Sequence, residues 1–171
     1  ENIQALAKHK GVDVTDMTAC VLDRPRHEGI IESLRSVGAR VALITDGDVA
    51  GVIATTNPHT GIDLYVGQGG APEGVLAAAA LKCVGGQMLG RLVFRNDDER
   101  KRAEKTGITD FGRTYALNEL ASGDTVFCAT GVTDGSMLSG VKSSDGRVHT
   151  HTLVMTSIDG MVRYVRSDRK V

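Results

Sequence analysis

The chain has 171 residues, 41% of them hydrophobic, and its 20 Lys and Arg nearly balance its 21 Asp and Glu to give a formal net charge of −1. This composition is typical of a globular protein with a hydrophobic core. The balanced charge provides no general basic field, so we expect no nucleic-acid partner. The longest apolar block, VLAAAALKCVGG, contains Lys82 and is shorter than the about 20 residues that a membrane span needs, so we expect no membrane partner.

The first half of the chain alternates helical and strand patterns. Helices are predicted over residues 2–10, 27–37, 49–54 and 72–84, and strands over residues 18–22, 41–45, 63–67 and 87–94. This alternation predicts a largely parallel sheet with right-handed crossovers and flanking helices.

The second half changes character. A charged, solvent-exposed helix is predicted from Asn96 onwards, followed by a buried strand over 125–131 and a hairpin around Asp159 and Gly160. We therefore predict the α/β fold class, with a mixed, largely parallel sheet, and a single domain over residues 1–171.

The three cysteines, Cys20, Cys83 and Cys128, lie far apart in apolar runs. Their odd number and wide spacing indicate reduced core thiols rather than a disulfide framework or a zinc site. We therefore expect a cytoplasmic location.

Two acidic residues follow the predicted strand VALIT, where Asp46 and Asp48 flank Gly47 at the start of a helix. Ligands of open α/β sheets bind outside the carboxyl ends of the strands. Carboxylates at that edge accept hydrogen bonds from sugar hydroxyls or ligate a hard cation, and glycine lets a ligand approach the backbone. An Asx turn with Asp48 as helix cap explains the same pattern, and the two interpretations are compatible.

The segment GQGGAPEG (67–74) also leads from a strand into a helix. Its glycine amides and the helix N-terminus are typical of a phosphate-binding turn. Because the segment has neither the Walker lysine nor the dinucleotide fingerprint, nucleotide binding is disfavoured. Glu73, in the first helical turn, either complements the helix dipole or belongs to a site with Asp46.

A third strand end carries two arginines, Arg24 and Arg26, separated by Pro25. Proline favours extended geometry in the preceding residue, and residues two apart in an extended segment project to the same side. We therefore expect both guanidiniums to address one anion, and their planar donors suit phosphate. Solvent exposure is the alternative for Arg26.

No chemical role is assigned to two further sequence patterns. His149 and His151 share a face of a predicted strand but have no third clustered ligand, so surface or interface positions are expected for them. The segment TGVTDG (130–135) is interpreted as a loop of turn-forming residues.

The chain contains four characteristic segments, in the order VLDRPRH, LITDGDVAG, GQGGAPEGVLAAAALKC and FCATGVTDG. In these segments it resembles the class II fructose-1,6-bisphosphatases, which are the bacterial GlpX-type sugar phosphatases of the lithium-sensitive superfamily. The resemblance implies a layered α/β sandwich that hydrolyses fructose 1,6-bisphosphate to fructose 6-phosphate and phosphate in gluconeogenesis, with Mn²⁺ or Mg²⁺. Some members of that family also accept sedoheptulose 1,7-bisphosphate.

The resemblance covers only the carboxyl-terminal half of a family member. In the family, most of the metal-binding carboxylates and the catalytic threonine belong to the amino-terminal half. The resemblance therefore implies two partners for this chain, the amino-terminal half of the enzyme and the sugar bisphosphate. A homo-oligomer is also expected. No catalytic residue is implied in this chain, and we expect the chain alone to be inactive. By motif, the substrate-binding residues are Arg24, Pro25, Arg26, Asp46, Gly47, Asp48 and Gly70, and the metal ligand is Glu73.

Two other functions remain open on the sequence. One is a non-catalytic sugar-phosphate-binding module, since one metal carboxylate does not make a two-metal site. The other is a nucleotide-sugar transferase with the Asp-Gly-Asp triplet as its metal site.

Overall fold

The structure is a computed structural model that describes residues 1–170. Its α-helices over these residues are α1 (Asn2–Lys10), α2 (Glu28–Ser36), α3 (Asp48–Ala54), α4 (Ala71–Val84), α5 (Asp97–Lys105) and α6 (Leu117–Leu120). Its strands are β1 (Thr18–Leu22), β2 (Arg40–Ile44), β3 (Leu64–Tyr65), β4 (Leu89–Arg91), β5 (Thr114–Ala116), β6 (Val126–Thr130), β7 (Lys142–Ser144), β8 (Arg147–Thr156) and β9 (Val162–Lys170). Short 3₁₀ helices span Val14–Asp16, Pro25–His27 and Pro58–Thr60. The predicted α/β class is confirmed.

Three parallel strands form the first sheet, in the order β2-β1-β3. The central strand β1 pairs on both sides, with Ala19 opposite Val41 on β2 and opposite Leu64 on β3. Because the strands are parallel, their carboxyl ends lie at one edge of the sheet.

Helices cover both faces of this sheet. The helices α1 and α2 bury Ile3 and Leu34 in a cluster with Ala19 and Val21 of β1. On β3, Leu64 packs against that cluster, whereas Tyr65 packs against a second cluster that α3 and α4 form. Successive strand residues point to opposite faces, so the two helix pairs lie on opposite sides of the sheet.

The helix α4 is shared between two cores. Its Ala77 and Leu81 pack with Val52 of α3, whereas its Ala80 and Cys83 pack with residues of the antiparallel strands β6 and β8. Alanine allows neighbouring elements to approach a helix closely and has the highest helix propensity. The helix ends at Gly85, whose φ of 77° is the left-handed geometry that a glycine C-cap accommodates.

The remaining strands form two antiparallel sheets. The strand β4 pairs with β5, while β8 pairs with β6, β7 and β9. The β8–β9 hairpin confirms the predicted turn at Asp159 and Gly160. The parallel and antiparallel strands therefore lie in separate sheets with α4 between them, rather than in one mixed sheet.

Two predicted strands differ from the structure. The strand predicted over 87–94 is reduced to the three residues of β4, whose Leu89 is 76% exposed. The strand β6 was expected to be buried, but only its Phe127 is buried and its Val126 is 64% exposed. Both strands pair in small sheets with one covered face, so their apolar runs are not enclosed as those of a central parallel strand are.

The cysteines follow the prediction in part. Over residues 1–170 all are free, and Cys20 and Cys83 are buried, but Cys128 is exposed on β6 instead of lying in the core. Among the described helices, none combines the length and the hydropathy that crossing a bilayer would require.

Candidate functional site

Three turns leave the carboxyl ends of the parallel strands at the same edge. We call them the arginine turn (residues 23–27, after β1), the aspartate turn (residues 45–48, after β2) and the glycine turn (residues 66–73, after β3). Because β1 is the central strand, the arginine turn lies between the other two. Every sequence-predicted site residue lies in one of these turns.

The two arginines connect the arginine turn to its neighbours. Arg24 donates from Nη2 to the carbonyl oxygen of Thr45 (2.5 Å) in the aspartate turn. Arg26 donates from Nε to the carbonyl oxygen of Gln68 (3.0 Å) in the glycine turn. The prediction that both guanidiniums project to one side from an extended segment is wrong, because Pro25 begins a 3₁₀ helix and only Arg24 is extended. The Nη groups of Arg26 have no hydrogen-bond partner among residues 1–170 and remain available to an anion.

His27 holds the arginine and glycine turns together. Its side chain is fully buried. Its Nδ1 lies 2.8 Å from the carbonyl oxygen of Leu22, and its Nε2 accepts the backbone N–H of Gln68 (2.9 Å). The same Nε2 lies 3.2 Å from the carbonyl oxygen of Gln68, so both polar backbone groups of that residue face the ring. Sequence reasoning missed this residue, because a histidine at a helix start has no pattern that distinguishes it from a surface one.

The aspartate turn depends on glycine geometry. Gly47 has φ 74° and ψ 48° and is the N-cap residue of α3. The interpretation of Asp48 as the cap is therefore wrong: Asp48 is the first residue of the helix, and its Oδ1 accepts the N–H of Val49 (2.9 Å). Asp48 is half-buried, whereas Asp46 is exposed.

The glycine turn brings two carboxylates together. Glu73 Oε2 accepts the N–H of Gly70 (2.7 Å) and so satisfies one free donor at the start of α4. A Cβ on Gly69 would lie 3.0 Å from Asp48 Oδ2 and 3.3 Å from Glu73 Oε2. Glu73 therefore supports the start of α4, and its carboxylate lies near that of Asp48 rather than that of Asp46.

Tyr65, the last residue of β3, is affected by the charges of all three turns. Burial and the negative charges of Asp48 and Glu73 together raise its pKa to about 12, against the opposing effect of Arg26. Sequence reasoning missed Tyr65 because an aromatic residue in a strand is most simply explained as core.

The carboxylates of Asp48 and Glu73 suit a hard divalent cation, which prefers oxygen ligands. Two carboxylates do not make a complete coordination shell, and residues 1–170 contain no cluster of three or more His, Cys, Asp or Glu placed to hold a metal ion. The predicted surface histidines lie on β8, where His149 pairs with Asp168 and His151 accepts the N–H of Ser139 (3.1 Å).

Comparison with known proteins adds the family context. The family model described as bacterial fructose-1,6-bisphosphatase, glpX-encoded, matches residues 1–169. The chain is 39% identical to the D-fructose 1,6-bisphosphatase class 2/sedoheptulose 1,7-bisphosphatase of Synechococcus sp. (strain JA-3-3Ab), over 96% of this chain and 51% of that protein. It is 38% identical to the protein of the same name from Prochlorococcus marinus (strain NATL1A), over 98% of this chain and 54% of that protein. The chain thus spans about half the length of the curated relatives that it matches.

Proposed function

We propose that this chain, which belongs to the family of bacterial, glpX-encoded fructose-1,6-bisphosphatases, supplies the sugar-phosphate pocket and one metal ligand for hydrolysis of fructose 1,6-bisphosphate to fructose 6-phosphate and phosphate. The observation that carries the proposal is the convergence of the arginine, aspartate and glycine turns at one sheet edge. The reaction belongs to gluconeogenesis, and the protein acts in the cytoplasm.

Phosphate binding is assigned to the arginine and glycine turns. Arg26 retains free guanidinium donors beside the glycine turn. The amide of Gly69 has no hydrogen-bond partner among residues 1–170, and the 14-residue helix α4 adds the partial positive charge of its N-terminus. Arg24, with both Nη groups bonded to backbone carbonyls, contributes charge and fixes the aspartate turn.

Sugar binding is assigned to the aspartate turn. The carboxylates of Asp46 and Asp48 accept hydrogen bonds from sugar hydroxyls, and Gly47 gives the ligand access to the backbone. Gly70 donates its N–H to Glu73, so we assign it the role of leaving room for close approach rather than of donating to the ligand.

A divalent cation, Mn²⁺ or Mg²⁺, is assigned to Glu73. When bound, such an ion neutralises phosphate charge and lowers the pKa of a coordinated water. Asp48 and Glu73 approach the same side of Gly69, and two carboxylates so close together favour a cation between or beside them. The other ligands come from the amino-terminal half of the enzyme, which is the proposed partner.

The proposal extends to the whole chain. Residues 1–171 form one domain that joins this partner, and the complete enzyme is a homo-oligomer. The relatives' printed name includes sedoheptulose 1,7-bisphosphatase, so the longer sugar bisphosphate is a second candidate substrate.

The function is tested by measuring phosphate release by the complete encoded protein with fructose 1,6-bisphosphate, sedoheptulose 1,7-bisphosphate and glucose 6-phosphate, with Mn²⁺ and Mg²⁺ titrated separately. Metal-dependent release from a bisphosphate, and much slower release from the monophosphate, is expected. Absence of metal-dependent release from either bisphosphate contradicts the proposal.

The alternative is a non-catalytic sugar-phosphate-binding module, favoured by the incomplete metal shell of the described residues. Calorimetry with the complete encoded protein separates the two functions. Binding of fructose 1,6-bisphosphate without turnover supports the module, and turnover supports the phosphatase.

A further inference from the structure

The ring of Tyr65 is fixed by close packing below the glycine turn. A Cβ on Gly51 of α3 would lie 3.1 Å from Tyr65 Cε2, so the glycine leaves the room that the ring occupies. The ring also packs against the buried cluster of Val52, Ala77 and Leu81. A ring held from several sides by α3 and α4 has little freedom to move its hydroxyl.

The hydroxyl of Tyr65 faces the glycine turn without a protein partner. A Cβ on Gly67 would lie 3.1 Å from this oxygen. No group among residues 1–170 hydrogen-bonds to it, although every fully buried side-chain nitrogen and oxygen atom of the described residues has a partner. The hydroxyl therefore reaches solvent and offers an oriented donor that the fold does not use.

Burial, with the nearby carboxylates, keeps this hydroxyl protonated. Burial and the carboxylates of Asp48 and Glu73 raise the pKa of Tyr65 to about 12, against the opposing effect of Arg26. The phenol is consequently protonated throughout the neutral pH range. A neutral O–H group can lie beside both the carboxylates and a bound anion without like-charge repulsion.

We propose that Tyr65 is a substrate-contacting residue whose hydroxyl donates a hydrogen bond to an oxygen of the sugar bisphosphate held between the glycine turn and Arg26. This inference rests on the proposed function. It adds to the pocket a neutral donor that comes from the strand itself rather than from a turn.

Tyr65→Phe tests the proposal, because it removes the hydroxyl and keeps the ring. In the complete encoded protein, KM for fructose 1,6-bisphosphate is expected to rise about tenfold or more, as for loss of a hydrogen bond to a charged group. The inhibition constant of inorganic phosphate is measured beside it, to distinguish a contact with a phosphate oxygen from one with a sugar hydroxyl. The midpoint of thermal unfolding is expected to stay unchanged.

Tyr164→Phe is the matched control, since Tyr164 lies on β9 beside His151. Its KM is expected to equal that of the wild type. A normal KM and a normal phosphate inhibition constant for Tyr65→Phe, in a wild type that hydrolyses the bisphosphate, overturn the role of Tyr65 and leave the proposed function intact. A lower unfolding midpoint with a normal KM shows a structural role and also overturns it. A wild type without turnover removes the proposed function and this inference together.

Discussion

The carboxylates of Asp48 and Glu73 meet at Gly69, where Asp48 Oδ2 and Glu73 Oε2 lie 3.0 and 3.3 Å from the position that a Cβ would occupy. These residues begin different helices, α3 and α4, that follow different strands. Their approach is possible because residue 69 has no side chain. A side chain at position 69 would therefore disturb both carboxylates at once.

Gly69→Ala is expected to separate the two carboxylates, because a methyl group would contact both. In the complete encoded protein, the Mn²⁺ concentration that gives half-maximal phosphate release should rise at least several-fold. Gly74→Ala is the matched control: it adds a methyl group within α4 where no atom lies within 4 Å, and it should be neutral or stabilise the helix by about 0.5–1 kcal/mol. Unchanged metal dependence of Gly69→Ala would show that the carboxylate pair has no role in metal binding.

Glu73→Gln is expected to lower phosphate release by at least about tenfold and to weaken its dependence on Mn²⁺, because the amide is a poorer ligand of a divalent cation. The amide oxygen still accepts the N–H of Gly70, so the unfolding midpoint should change little.

Glu119→Gln is the control for this variant, since Glu119 accepts the N–H of Ala116 (2.9 Å) at the start of α6 in the same way. Normal turnover is expected for Glu119→Gln. If Glu73→Gln also keeps normal turnover and metal dependence, Glu73 is not a metal ligand.

Arg26→Ala is expected to raise KM for fructose 1,6-bisphosphate by about tenfold or more, because it removes a charged donor that has free Nη groups beside the glycine turn. Arg35→Ala removes an exposed arginine from the last turn of α2 and serves as the control. Circular dichroism checks that both variants are folded. A KM equal to that of the wild type would remove Arg26 from the binding site.

Asp63 links the parallel sheet to α1. Its Oδ2 accepts the N–H of Thr18 (2.8 Å), and its Oδ1 pairs with Lys10. Burial opposes its ionisation, but these hydrogen bonds and the charges of Lys10 and Arg40 together hold its pKa below the ordinary value. The charge of Asp63 therefore stabilises the fold above the unfolded-state pKa of about 4, and this contribution is lost as pH falls through the lower pKa of the folded state.

Asp63→Asn is accordingly expected to lower the free energy of unfolding by about 1–2 kcal/mol at neutral pH, and by less below about pH 4. Urea unfolding at pH 7 and at pH 3 measures the difference. Asp124→Asn, in an exposed loop, is the control. An equal effect of Asp63→Asn at both pH values would contradict the pKa assignment.

The sequence predicts local structure well where the chain has strong signals. The helix α1 ends at Gly11 and α5 is capped by Asn96, both as expected from their residue types. The strand β1 matches its predicted bounds, because a central strand with two paired edges is mostly apolar. The sheet to which β4 belongs was not predictable, since a short apolar run does not specify its pairing partner.

The sequence likewise predicts some residues of the candidate site and not others. The strand-end pattern predicts that Arg24, Asp48 and Glu73 lie at one edge, and the structure places their turns together. His27 contacts Gln68, which is 41 positions away in the chain, and Tyr65 packs against residues of the helices α3 and α4. Contacts between such distant residues produce no recognisable pattern in the sequence, so neither residue was predicted.

The central claim is that the arginine, aspartate and glycine turns form one sugar-bisphosphate site. A crystal structure of the complete encoded protein with fructose 1,6-bisphosphate and Mn²⁺ tests it most directly, with the anomalous signal of manganese locating the metal. We predict a phosphate group within hydrogen-bonding distance of Arg26, sugar hydroxyls at Asp46 and Asp48, and manganese bound to Glu73. A sugar bisphosphate bound at another surface, without contact to these turns, would contradict the claim.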